Sequence, residues 1–246
     1  MIHDLLSLRA LVASADEGLR RLFQQAAAGL SVPFEVVEAA AAGAPSSGID
    51  LAYLDGGLPP EELRRLVAAI RAGAKPAFTL QLAPGAVIQS FETDGLVGKP
   101  TRPEEAQWLL ERTAKLRLPN RVLVVDDSST MRTIVRKTLA ATRFMFDVSE
   151  AEAGLAALDL LRAGDYEIVF LDYNMPGLDG LETLSEFNRQ GYRVKVIMMT
   201  SVGREELAAR ARALGAIFLK KPFFPADVES ALLGFYGLRA LNPKRG

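Results

Sequence analysis

Short apolar runs recur along this chain, and each is followed by a stretch with helical spacing. Val122–Val125 (VLVV) and Ile168–Leu171 (IVFL) are too short for helices and carry no polar alternation. That is the pattern of strands covered on both faces. Met145–Val148, Val194–Met199 and Ile217–Leu219 read as further strands. Between them, Ser129–Leu139 sets Met131, Ile134, Val135, Thr138 and Leu139 at helical intervals. Ala153–Arg162 does the same with Leu155, Leu158 and Leu161 and stops at Ala163-Gly164. Leu181–Phe187 is a helix stopped near Gly191, Glu205–Leu214 one closed by Gly215, and Pro225–Tyr236 the last, with Pro225 at a favourable N-terminal position. Consecutive βα units of this kind require crossover connections. They predict a parallel sheet, right-handed crossovers and helices on both faces.

The first half repeats this order. Leu8–Ala13, Phe34–Glu38, Leu51–Leu54, Ala77–Leu82 and Leu96-Val97 read as strands, and Leu19–Ala28, Glu61–Arg71 and Arg102–Leu116 as helices. Two places are degraded. AAAAGAPSSG (39–48) reads as a loop or a stub where the second helix belongs, and APGAVIQSF (83–91) is a shortened counterpart of Glu205–Leu214. The chain therefore reads as one unit written twice, in two domains, 1–118 and 119–246, with the boundary at the LPN of residues 118–120. The fold class is α/β, with two tandem doubly wound (βα)5 domains, each on a five-stranded parallel sheet. Trp108 is expected to be buried against its own sheet. Helical spacing cannot put Trp108, Leu109 and Leu110 on one buried stripe, so at least one of them should face outward or meet a partner.

Composition excludes several functions. The 246 residues carry a net charge of −1, which gives no electrostatic case for nucleic acid or an acidic membrane surface. There is no cysteine, which excludes disulfides and thiolate metal sites and fits a cytoplasmic location. The single histidine, His3, argues against a histidine triad or a zinc centre. No segment approaches the ~20 apolar residues of a membrane span. The opening MIHDLLSLRALVASA mimics a signal peptide, but Asp4 and Arg9 and the missing basic start make it the lead into a strand.

Polar residues collect where the strands of the second half end. The first strand gives Asp126 and Asp127, the third Asp172, the fourth Thr200 and Ser201, and the fifth Lys220 and Lys221. In an open parallel sheet, ligands bind beyond the carboxyl ends of the strands. Taken singly, an acid pair after a strand caps a helix, an acid before a turn serves the turn, and a lysine before proline is solvated. Together and in order, they predict a crevice of three acids, a hydroxyl and a lysine. Adjacent carboxylates repel, and carboxylates without thiol or imidazole select a hard divalent cation, Mg²⁺ first. A cation, a lysine and a hydroxyl match the three non-bridging oxygens of a phosphoryl group. Asp172 is then a carboxylate nucleophile that forms an acyl phosphate.

The segments VLVVDDSSTMR, FLDYNMPGLDG, MMTS and FLKKPF resemble the receiver domain of two-component response regulators, CheY-like ones in particular. The resemblance covers the whole second half and implies a flavodoxin-like receiver with strand order 2-1-3-4-5. It implies that Asp172 is the phosphoacceptor, Asp127 a direct Mg²⁺ ligand, Asp126 an acid acting through water, and the Asn174 carbonyl a third protein ligand. Thr200 and Lys221 match the family's hydroxyl and lysine, Lys221 being chosen over Lys220 because it precedes Pro222. Phe218 falls at the position of the family's rotating aromatic. Val202 stands where CheY-like proteins often carry an acidic or amide side chain, which implies slower self-hydrolysis.

The first half resembles the same family less closely. ALVASADEGLR aligns with VLVVDDSSTMR, so Ser14 and Ala15 replace the acid pair, with Asp16 displaced. Asp55 keeps the acceptor position and Lys99 the lysine, Leu96 replaces the aromatic, and the hydroxyl position falls near Gln81. Asp55 and Lys99 are expected to form a structural ion pair in a pseudo-receiver. The whole chain is thus expected to be a stand-alone tandem receiver. It would take a phosphoryl group from a sensor histidine kinase and signal through a downstream protein. It would not be an enzyme beyond phosphorylating itself from small donors and dephosphorylating itself. A second copy of the chain is a candidate partner. The alternatives are the regulatory portion of a longer cyclase or DNA-binding regulator, or a phosphate sink.

Overall fold

The structure is a computed structural model and describes residues 7–39, 48–72, 76–83, 93–201 and 205–238. Most of both degraded stretches of the first half lies outside the described residues, as do His3 and Val202. The chain divides into two compact units, Met1–Arg117 with Tyr236–Gly246, and Leu118–Phe235.

The first unit runs β1 (Leu8–Ala13), α1 (Glu17–Ala27), β2 (Phe34–Ala39), β3 (Leu51–Asp55), α2 (Pro60–Arg71), β4 (Phe78–Ala83), β5 (Gly95–Gly98) and α3 (Pro103–Ala114). The second runs β6 (Pro119–Val125), α4 (Ser129–Ala140), β7 (Met145–Ala151), α5 (Gly154–Ala163), β8 (Ile168–Asp172), α6 (Gly180–Arg189), β9 (Lys195–Thr200), α7 (Glu205–Ala213), β10 (Ile217–Lys220) and α8 (Pro225–Phe235). Each unit has a five-stranded sheet with every pair parallel. The orders are β2-β1-β3-β4-β5 and, read from the corresponding edge, β7-β6-β8-β9-β10. Both are the same doubly wound order, with the topological switch between the first and third strands of each unit.

The apolar runs take the positions their patterning dictates. β3 and β8 are buried at every residue, whereas the edge strands β2 and β7 show mixed burial. In the second unit, Leu123, Val125, Leu158, Leu171, Leu184 and Phe187 form one core cluster. Leu11, Ala13, Leu54, Leu63 and Val67 form its counterpart in the first. Each large apolar side chain buried in this way contributes roughly 1.5–3 kcal/mol. On the other pleat of the first sheet, the Tyr53 ring packs at 4.9 Å from Phe23, and its hydroxyl pairs with Thr113. Burial raises the Tyr53 phenol further, although the Thr113 hydrogen bond opposes this.

Trp108 departs from its expected burial. Leu109 and Leu110 take the sheet-facing side of α3, while Trp108 is 56% exposed with the Arg112 guanidinium 4.3 Å over its ring. Three consecutive helical residues sweep too wide an arc for one stripe, and here the two leucines occupy it. Among the described residues, no helix is long and apolar enough to cross a membrane.

Candidate functional site

Local backbone chemistry fixes the loops after β6 and β8. At the end of β6, the Asp126 amide donates to the Ala151 carbonyl at 3.2 Å, and Ser128 caps α4 by accepting from the Met131 amide at 3.3 Å. The Asp126 carboxylate accepts from the Ser128 amide at 3.0 Å, which holds the side chain over the sheet. After β8, Gly177 turns the chain with φ of 79°, and Asp179 and Glu182 form a reciprocal capping box at the start of α6. Gly180 lies so close to the acceptor strand that a Cβ would sit 2.5 Å from the Asp172 carbonyl oxygen. The loop therefore packs tightly only because glycine is there.

These loops converge three carboxylates. Asp126, Asp127 and Asp172 each offer an oxygen within 4.8 Å of the others, with Asp126 and Asp172 buried and Asp127 exposed. Lys221 lies between the two buried acids, its Nζ 2.8 Å from Asp126 Oδ2 and 2.8 Å from Asp172 Oδ1. Its backbone amide donates to the Thr200 carbonyl at 2.7 Å, which ties the end of β9 to the lysine. Thr200 is fully buried, one residue beyond the Asp172–Met199 pair of the sheet register. Asn174 is exposed in the loop two residues after Asp172, and Phe218 is partly buried against the core cluster.

The electrostatics follow from this packing. Burial pushes the Asp172 carboxyl up. Lys221 pulls it back through a hydrogen bond and its charge, Asp126 pushes it further up, and the balance lies above the usual carboxylate range. Burial presses the Lys221 ammonium down, but its pairing with Asp126 and Asp172 outweighs that and raises it. Three carboxylates against one lysine leave two negative charges in a small volume. The donors are all oxygen, and the balance matches one hard divalent cation. On chemistry and charge, these residues fit Mg²⁺.

The two sheet registers superpose position by position, which corrects one expectation in the first unit. Asp55 pairs with Leu82 as Asp172 pairs with Met199. The residue matching Thr200 is therefore Ala83, and Gln81 matches Met198. The stretch TLQLAPG offers no hydroxyl at its strand end, and Gln81 lies two residues too early. Lys99 matches Lys221, and its amide bonds the Ala83 carbonyl at 3.2 Å. Ser14 and Ala15 occupy the positions of Asp126 and Asp127, and Asp16 is the helix cap, accepting from the Leu19 amide.

Around Asp55 the polar needs are met internally. Ser14 Oγ donates to Asp55 Oδ2 at 2.5 Å, Lys99 Nζ to the same oxygen at 2.9 Å, and the Gly57 amide to Oδ1 at 3.0 Å. Asp16 Oδ2 lies 3.8 Å from Lys99. Burial pushes the Asp55 carboxyl up, but the Ser14 hydroxyl, the Gly57 amide and Lys99 together hold it below the usual range. The ion pair between Asp55 and Lys99 is present. The hydroxyl partner Ser14 comes from the first strand, not the fourth.

Two further residues repeat in both units. Arg132 donates to the Asp126 carbonyl at 2.9 Å and to Glu150 at 2.9 Å. Arg20 donates to the Ser14 carbonyl at 2.5 Å and to Glu38 at 3.3 Å. Each arginine braces the turn after the first strand against the neighbouring edge strand. The signal for them lay in the sequence: both arginines stand six residues after the matched position, and both glutamates eighteen beyond the arginine.

Comparison with known proteins agrees with the geometry of the second unit. The response regulator receiver domain model matches residues 122–233. The chemotaxis protein CheY-3 of Vibrio cholerae serotype O1 is 35% identical over 115 residues, which cover 46% of this chain and 88% of that protein. CheY of Halobacterium salinarum is 35% identical over 116 residues, 47% of this chain and 95% of its own. A solved structure described as a probable two-component system response regulator/GGDEF domain protein aligns with 94% of this chain and 100% of its own, at 22% identity and a TM-score of 0.48. Through its second, CheY-like unit, the chain belongs to the response regulator receiver family.

Proposed function

We propose that the second unit is a Mg²⁺-dependent phosphoacceptor with Asp172 as its nucleophile. The observation that carries this is Lys221, held 2.8 Å from both Asp126 and Asp172 where three carboxylates meet. An Asp172 oxygen attacks the phosphorus of a phosphohistidine on a sensor kinase. The P–N bond breaks as the P–O bond forms, and the imidazole leaves with the electron pair and is protonated. Asp127 and Asp126 would hold the metal ion, with the Asn174 carbonyl as a further oxygen donor. When bound, Mg²⁺ neutralises and orients the phosphoryl oxygens. Lys221 pairs with one such oxygen and the Thr200 hydroxyl donates to another. Water then cleaves the acyl phosphate and restores the carboxylate.

Output runs through protein contacts at the face made by α7, β10 and α8. Drawing Thr200 towards a phosphoryl oxygen frees space beside β10, and Phe218 turns into it, so phosphorylation selects one of two packings. In this reading the first unit keeps the receiver frame without the acceptor chemistry.

The test is labelling with acetyl phosphate and Mg²⁺, read by mass. Asp172→Asn should abolish labelling, and Asp55→Asn should leave it unchanged. Labelling that survives Asp172→Asn and disappears in Asp55→Asn would overturn the assignment.

A further inference from the structure

The chain enters the first unit twice. Residues up to Arg117 build it, the second unit follows, and Tyr236, Gly237 and Leu238, directly after α8, belong to the first unit again. These three residues line a groove beside β5 and α3 with Leu96, Trp108 and Leu109. Tyr236 and Leu238 are 4% and 2% exposed, so the segment is packed as core. Two features clamp it. The Arg112 guanidinium, stacked on Trp108, donates to the Tyr236 carbonyl. Gly237 has φ of 68°, and a Cβ there would lie 2.0 Å from Arg112 Nη2. Any side chain at 237 would strain the backbone and push the arginine off that carbonyl. At its other end, the stretch that leads to this clamp starts in the candidate site. Lys221 bridges Asp126 and Asp172, and α8 begins four residues later, with Asp227 accepting from the Phe224 amide at 2.8 Å. The helix buries Val228, Leu232 and Leu233, and Glu229 ties it to the Arg143 guanidinium at 2.9 Å. Its 11 residues make a stiff rod of about 16 Å. Phe235, the last of them, is joined directly to Tyr236.

We propose that Tyr236–Leu238 is a strap through which the first unit senses the state of the Asp172 site. The trigger rests on the phosphoacceptor reading above; the clamp itself does not. Lys221 divides its charge between two acids. A phosphoryl oxygen on Asp172 claims one of those pairings, and the Lys221 end of the stretch adjusts. The α8 rod carries that adjustment to Tyr236. Arg112 and Gly237 meet without slack, so the strap fits one position of α8 and any displacement loosens it. A loosened strap frees Arg112 and uncovers its end of the groove. The two sites are then coupled by one continuous run of chain.

Chymotrypsin reads the strap directly, because a buried Tyr236 cannot enter the protease pocket until the segment opens. The experiment is limited digestion of the full chain, with cleavage after Tyr236 followed by mass. Gly237→Ala should speed that cleavage, and so should Arg112→Met, which leaves the scissile bond unaltered. Each should do so about tenfold or more, the change in open population that loss of a hydrogen bond to a charged group brings. Mg²⁺ with beryllofluoride, a phosphoryl mimic, should speed cleavage of the parent about fivefold or more, the low end of coupling between linked sites. It should leave Asp172→Asn unchanged. Parent cleavage as fast as in both variants would overturn the clamp. Beryllofluoride seen bound by fluorine NMR, with cleavage after Tyr236 unaltered, would overturn the coupling and spare the phosphoacceptor reading. No binding of beryllofluoride would sink that reading and the trigger together, while the two variants still decide the clamp.

Discussion

Asp55 and Asp172 end the central strands of two sheets with the same order and register, but their surroundings solve different problems. Asp55 is met by a hydroxyl, an ammonium and an amide, and its charge is balanced within the unit. Asp172 shares its ammonium with a second buried acid, and an exposed third acid stands beside them. One carboxylate is held low and the other is pushed up by the same two forces in different proportion. The comparison teaches that a buried strand-end acid can be balanced within its own unit or left sharing one ammonium with other acids.

The largest expected effect comes from exchanging the two solutions. Asp126→Ser with Asp127→Ala gives the second unit the first unit's residues. It should lower both Mg²⁺ affinity and acetyl phosphate labelling by roughly a hundredfold or more, since removing charged oxygen ligands and transition-state partners has costs of that order. Calorimetry with Mg²⁺ and labelling by mass both read this out. Labelling at the parent rate would mean that the acids serve only the turn leading into α4.

Removing each lysine should separate the units next. Lys99→Met should destabilise the first unit by about 1–3 kcal/mol, because a largely buried carboxylate loses its charge partner. Trp108 fluorescence during urea unfolding follows that unit, and Mg²⁺ should not restore the loss. Lys221→Met leaves acids facing one another, so Mg²⁺ should rescue the second unit, by about 2.7 kcal/mol when present at a hundred times its Kd. Equal responses of the two variants to Mg²⁺ would erase the proposed distinction.

The smallest effect tests what the units share. Arg20→Ala and Arg132→Ala should each cost about 1 kcal/mol, through a lost carbonyl contact and a partly screened ion pair. Near-equal values are expected. A markedly larger effect of Arg132→Ala on Mg²⁺ affinity than on stability would tie that brace to the site.

The fold was legible because the informative signal was local. Runs such as IVFL, closed by an acid and followed by helical spacing, admit few arrangements, and two such series in one order imply two sheets. The residues of the candidate site were legible for a related reason: a parallel sheet brings its strand ends together, so Asp126, Asp172 and Lys221 could be grouped across nearly a hundred residues. Strand register was harder. Gln81 was placed at the hydroxyl position because the strand end in TLQLAPG is not marked by any polar residue, and only the pairing of Asp55 with Leu82 identifies Ala83. The Ser14–Asp55 bond was hidden because a serine replacing an acid looks like a loss, although its hydroxyl still reaches the acceptor. Trp108 was misjudged because a large aromatic suggests burial, while neighbouring leucines took the inward face of α3.

The paired braces, Arg20 with Glu38 and Arg132 with Glu150, have a bearing on descent. Two stretches of one chain that share strand order, register and a side-chain brace at identical offsets are most simply copies of one ancestral segment. After such a duplication the copies are free to drift apart, and the brace shows where they did not. The first unit carries neither the acid pair nor the fourth-strand hydroxyl, yet it has the arginine that shapes the turn from which such a pair would project. Inheritance here has preserved the architecture more strictly than the chemistry mounted on it. A turn held in one shape in both units would also need few substitutions to carry the same residues in both.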